Sequence, residues 1–145
     1  MMHLPQDARL TLSVARAVVS AARDYAEKSD LKMSIAVVDG GGNLICFEHM
    51  DGAKLVSTEI AQAKAYTAVA FQSETAELSQ YAQPGGACYA MESTVSRPVV
   101  FWAGGLPLMA GEMFIGGIGA GGGSPEEDGA TAHAGLAAFE NAVSL

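Results

Sequence analysis

Residues 33–48 read Met33-Ser34-Ile35-Ala36-Val37-Val38, then Asp39-Gly40-Gly41-Gly42-Asn43, then Leu44-Ile45-Cys46-Phe47-Glu48. Two short β-rich runs flank a connection built of turn-forming residues, so the pattern predicts two strands and a tight reversal. A link this short joins antiparallel neighbours only, because parallel strands need a crossover of a dozen or more residues. This hairpin sets the direction of the sheet, and the rest of the chain is read outward from it.

Upstream, Leu10, Val14, Val18, Ala21 and Tyr25 recur at helical spacing among Arg9, Arg16, Arg23, Glu27 and Lys28, which predicts an amphipathic helix over residues 7–28 with Asp7 as its N-cap. Downstream, Val56, Ile60, Ala63, Thr67 and Ala70 share one face of a second helix over residues 54–71, and its many alanines suit close packing on a sheet or a partner subunit. Residues 75–81 read as a short helix broken by Pro84-Gly85-Gly86. Residues 99–103, 106–110 and 113–119 read as three further strands, the last laced with glycine. Ser124 as N-cap, Pro125 at the first helical position and Glu127 three residues after the cap open a final helix, whose apolar face is Ala132, Leu136, Phe139 and Val143. Hairpin-joined strands with flanking helices give a fold of the α+β type, with five antiparallel strands in one domain over residues 1–145.

Composition narrows the function classes. Half of the 145 residues are apolar, enough for one core. Eight Lys and Arg against 16 Asp and Glu give a net charge of −8, which repels phosphate backbones and excludes nucleic acid as an expected partner. The apolar runs are too short to span a bilayer, and the start of the chain lacks the basic and apolar regions of a secretory signal, so the expected location is the cytoplasm. Cys46 and Cys88 have neither CxxC nor CxxCH spacing and read as free, mostly buried thiols. The 17 glycines imply elements packed backbone to backbone, or main chain approaching a ligand.

Several motifs in order carry a resemblance: Ser34-Ile35-Ala36-Val37-Val38-Asp39-Gly40-Gly41-Gly42-Asn43-Leu44, Phe47-Glu48-His49-Met50-Asp51-Gly52-Ala53, Ile60-Ala61-Gln62-Ala63-Lys64-Ala65, Pro84-Gly85-Gly86, Gly104-Gly105-Leu106-Pro107, and Gly119 through Asp128. Together they resemble the GlcG/HbpS family, which includes the C-terminal domain of PduO proteins. The resemblance implies α/β/α layers around a five-stranded antiparallel sheet, and assembly into dimers to octamers. It also implies haem or another tetrapyrrole as ligand, and for some members a place beside glycolate or propanediol catabolic genes. Many relatives have arginine where this chain has His49.

The strand exit Glu48-His49-Met50-Asp51 gathers two acids, an imidazole and a thioether. Histidine is the natural neutral ligand or acid/base near pH 7, and Met50 is a soft donor for haem iron. The plainer reading is a solvated turn. Lys64, in an alanine-rich stretch, either anchors a ligand carboxylate or pairs with Asp51 or Glu48, or else forms the wet face of its helix. Gly121, Gly122 and their glycine neighbours match neither nucleotide-cradle pattern. They read instead as a strand end whose missing side chains leave a floor, leading to a helix N-terminus that attracts an anion. Glu126 and Asp128 stabilise that helix dipole, or bind a cation, or face His49 as a proton-transfer pair. His3 and His133 read as surface residues, and Phe101 and Trp102 as core, interface or a porphyrin platform. Zinc and hydrolase motifs do not occur in the sequence.

These readings converge on a cytoplasmic homo-oligomer that binds a small molecule, haem or another tetrapyrrole. The expected cleft is lined by Glu48, His49, Asp51, Lys64, Gly121, Gly122, Glu126 and Asp128, with His49 as the candidate iron ligand. The rival is a cofactor-independent isomerase, dehydratase or other lyase acting on an acidic metabolite. It would use His49 as acid/base, Lys64 as anchor, and Asp51 or Glu126 to tune them. A third reading is an accessory or assembly protein. The sequence leaves open whether the chain is an enzyme.

Overall fold

A computed structural model describes residues 9–143. The order is α1 (Leu12–Lys28), β1 (Ser34–Asp39), β2 (Leu44–His49), α2 (Ser57–Ala70), α3 (Thr75–Ala82), a 3₁₀ turn (Met91–Thr94), β3 (Gly105–Ala110), β4 (Met113–Gly121) and α4 (Pro125–Val143). Helix α1 starts later than its periodicity predicts. Thr11 is its cap, with Oγ1 accepting from the Val14 N–H at 3.2 Å, and Asp7 lies outside the described residues. The buried stripe is Ala15, Val18, Val19, Ala22 and Ala26, so the inward face is rotated from the expected one and Tyr25 stays exposed. At α4 the reciprocal cap forms as its residues dictate. The Glu127 N–H donates to Ser124 Oγ at 3.2 Å, and the Ser124 N–H donates to Glu127 Oε1 at 2.9 Å.

The described sheet has four strands rather than five, in the order β2-β1-β4-β3, and every neighbouring pair is antiparallel. Residues 99–103 form no strand because their backbone is held by side chains of the helices. The Val100 N–H donates to Thr67 Oγ1 at 3.0 Å, the Gly105 N–H just beyond donates to Thr75 Oγ1 at 2.9 Å, and Phe101 meets Phe71 edge-on. With those groups satisfied, pairing to a strand is not needed. Pro107 fits β3 because β3 is an edge strand, where a missing N–H costs no ladder bond on the open side.

Strand alternation divides the core. Ile35, Val37, Ile118 and Ala120 face α1 and α4, in the larger apolar cluster with Val18, Val19, Leu108 and Phe139. Ala36 and Val38 face α2, meeting Ala61, Ala65 and Val69. The sheet therefore lies between α1/α4 and α2, in α/β/α layers. Small residues set the α2 spacing: a methyl group on Gly117 would lie 2.5 Å from the Ala65 carbonyl oxygen, and one on Gly105 2.5 Å from that of Lys64. Among the described residues no helix is long and apolar enough to cross a membrane.

Candidate binding site at the exit of β2

Glu48 and His49 are adjacent in sequence but point to opposite faces of the sheet, as successive strand residues must. Glu48 turns toward α1 and takes both its carboxylate oxygens to Arg23 Nη1, at 2.6 and 2.8 Å. His49 turns toward α2. Its Nδ1 lies 2.7 Å from Ser34 Oγ and 3.1 Å from Thr58 Oγ1. Ser34 pairs directly with His49 on one side and with Gly121 on the other, so these three form one row across the α2 face. Ser34 Oγ is in turn 2.8 Å from Ser57 Oγ, which donates to the Lys54 carbonyl at 2.5 Å. Ser34 and Ser57 are fully buried, whereas the imidazole is exposed. Nε2 has no hydrogen-bond partner among the described residues.

Two adjoining cavities open here. One of about 520 Å³ is walled by Arg23, Glu27, Asp30, Leu31, Lys32, Glu48, His49, Met50 and Asp51. The second, of about 330 Å³, shares Asp30, Leu31 and Lys32 and continues past Gly52 and Lys54 to Gly122, Gly123 and Glu127. The strand exit and the glycine-rich loop thus do approach a common groove, across the segment that links α1 to β1. Its exposed cations are Lys32 and Lys54 rather than Lys64.

Lys64 is instead fully buried. Its Nζ donates to Asp128 Oδ2 at 2.6 Å and to the Ala120 carbonyl at 3.0 Å, and stands 5.6 Å from the centre of the Trp102 ring. The carboxylate it holds belongs to this chain. Burial pushes the Lys64 ammonium pKa down and the Asp128 carboxyl pKa up, and the hydrogen bond and charge each offers the other act in the opposite direction. Gly104, at φ +123°, closes the compartment, and a methyl group there would lie 2.7 Å from Lys64 Nζ. Asp128 also accepts from the Gly123 N–H at 2.9 Å, tying the loop to α4.

Four further expectations change with the geometry. The floor left by Gly117 and Gly119 is filled by the α2 backbone and that left by Gly121 by Ile60 and Ala61, whereas Gly122 lines the second cavity. The α4 N-terminus is satisfied by Ser124, Glu127 and Asp128. Asp128 is sealed against Lys64 and so does not face His49, while Glu126 is exposed and walls neither cavity. Met50 is half-buried and packs against the larger core. Asp51 remains exposed on the groove wall, and His133 is exposed as expected, whereas His3 lies outside the described residues. Both thiols are free and half-buried, and burial followed by the Glu48 charge raises the Cys46 pKa. Sequence reading missed Ser34, Ser57, Thr58, Lys32 and Lys54. The one available signal was a serine opening an otherwise apolar strand opposite a histidine at the hairpin's far end.

The profile of a family described as "Haem degrading protein HbpS-like" matches residues 10–137. The chain belongs to the GlcG/HbpS family. Among its relatives, an uncharacterized 15.0 kDa protein from the dhaT-dhaS intergenic region of Citrobacter freundii is 34% identical over 134 residues, covering 92% of this chain and 94% of that protein. The corrinoid adenosyltransferase PduO of Salmonella typhimurium is 40% identical over 119 residues, covering 82% of this chain but 35% of PduO. The chain therefore spans about a third of that enzyme. A crystal structure of a PduOC:heme complex superposes with a TM-score of 0.86 at 37% identity, covering 90% of this chain and 94% of the other.

Proposed function

We propose that this GlcG/HbpS-family chain binds haem or a closely related metallo-tetrapyrrole in the groove at the β2 exit, with His49 Nε2 as the iron ligand. The observation that carries the reading is a single tethered imidazole on the wall of a cavity of about 520 Å³, with one nitrogen unpartnered. Among the described residues no three His, Cys, Asp or Glu converge as a metal-ligand set. A bare ion would find no set of three donors here, whereas a metallo-tetrapyrrole brings four ring nitrogens and asks the protein for one more. The cavity is of the size that small-molecule sites use. Lys32 and Lys54 supply cations for peripheral carboxylates, and exposed Leu55 and Val56 offer apolar surface next to Lys54. The heme complex of the structurally similar PduOC supports the same class of ligand. The rival catabolic enzyme loses its proposed anchor, since Lys64 is spent on Asp128.

Titration with hemin and with metal-free protoporphyrin tests the reading. Hemin is expected to give a saturable Soret shift at one equivalent per chain, at least about tenfold tighter than the metal-free ring, since the axial bond is available to iron alone. Equal affinity for the two would remove iron ligation. Binding of neither would overturn the proposal in favour of His49 as an acid/base.

A further inference from the structure

The hydroxyls behind His49 can be assigned by counting protons. A carbonyl oxygen cannot donate, so the bond of 2.5 Å between Ser57 Oγ and the Lys54 carbonyl uses the one hydroxyl proton of Ser57. The contact of 2.8 Å between Ser34 Oγ and Ser57 Oγ must then be made by the proton of Ser34. With that proton committed, the contact of 2.7 Å between Ser34 Oγ and His49 Nδ1 has one remaining source of hydrogen, the imidazole itself. Thr58 Oγ1, at 3.1 Å from the same nitrogen, serves as a second acceptor.

We infer that Ser57 and Ser34 form a one-way hydroxyl chain that ends on the Lys54 carbonyl and locks neutral His49 as the Nδ1–H tautomer, directing the Nε2 lone pair outward. Ser34 and Ser57 are positioning residues in this arrangement, and they touch no ligand. The inference rests on the proposed haem reading for its purpose, because a ligating imidazole needs its second nitrogen fixed by a hydrogen bond. The order of the hydrogen bonds stands without that reading.

Long-range ¹H–¹⁵N spectra of the ligand-free, ¹⁵N-labelled full chain test the inference at about pH 8.5, where an ordinary histidine is neutral. The expected result is a protonated Nδ1 and a pyridine-like Nε2 for His49, with the opposite tautomer, favoured in unconstrained histidine, for exposed His133. Ser34→Ala should move His49 toward the Nε2–H form and weaken hemin binding by about 10- to 100-fold. Ser57→Ala frees the Ser34 proton to point at Nδ1, and should give a mixture of tautomers if Ser34→Ala does not fold. A wild-type His49 found as Nε2–H, or a tautomer unmoved in both variants, overturns the inference. An Nδ1–H tautomer in a protein that takes up no hemin upholds the hydroxyl chain and removes the haem reading alone.

Discussion

Lys64→Met should lower the unfolding free energy by about 3–5 kcal/mol, the range expected when one member of a buried ion pair is removed. The loss comes from what stays behind: Asp128 Oδ2 and the Ala120 carbonyl both lose their shared donor, in a compartment that water does not reach. In a domain of this size the midpoint of thermal unfolding should fall by roughly 10–20 °C. The pair itself is not a source of net stability. Asp128, raised in the folded chain, lends stability only below the ordinary carboxylate range and loses it as pH rises through the folded value. Lys64, lowered, is the mirror case and lends stability only toward the ordinary ammonium range. Near neutral pH neither charge adds to stability, so a neutral pair should be tolerated. Lys64→Met combined with Asp128→Asn should recover more than half of the loss, because asparagine can still accept from Gly123 while turning its amide toward Ala120. Chemical denaturation of the wild type, the single variant and the double variant checks this. A single variant within about 1 kcal/mol of wild type would show that the pair is solvated.

Gly119→Ala should cost about 3 kcal/mol or more, at the upper end of overpacking effects. The added methyl group would run into the Ala61 carbonyl and come within 2.5 Å of the Ala65 N, and both are backbone atoms of α2 that no rotamer change can move. Helix α2 must therefore shift off the sheet. It carries Ser57 and Thr58, so the tether of His49 should loosen with it and hemin affinity should drop although Gly119 lies away from the groove. Gly129→Ala is the control. Its methyl group would make only an ordinary contact of 3.5 Å with Ala103, and alanine is the better helix former by about 1 kcal/mol, so this variant should be neutral or slightly stabilised. Thermal unfolding of the two variants should move in opposite directions for the same chemical change. Equal effects would contradict the close approach of α2 to β4.

Local chemistry was legible in the sequence and long-range partnership was not. The hairpin over 33–48 and the capping box at Ser124 depend on residues a few positions apart, and both formed where the pattern placed them. Residues 99–103 carry strand propensity, but the Val100 N–H went to the hydroxyl of Thr67, 33 positions upstream, and that of Gly105 just beyond went to Thr75. Lys64 looked like a site residue because a cation among alanines is unusual. Its partner lies 64 positions away, and spacing gives no means of pairing the two. The glycines of β4 did signal a close approach, as read, although the occupant is a helix backbone rather than a ligand. Glu48 and His49 turn to opposite faces, as the two-residue period of a strand requires, yet both still wall the same cavity at the strand exit, as their proximity in sequence suggested. His49 itself was found because a histidine at a strand exit combines exposure with fixed geometry, while the hydroxyls that hold it were hidden in runs that read as structural.

The most direct test of the account is a hemin titration of wild type beside His49→Ala, followed in the Soret band. The substitution alters an exposed side chain at the end of an edge strand, so the fold should be retained and circular dichroism should be unchanged. The account predicts a saturable one-to-one shift in the wild type and its loss, or a weakening of at least about 100-fold, in His49→Ala, equivalent to roughly 2.7 kcal/mol of axial bonding. An unchanged Soret shift and affinity in the folded variant would contradict it.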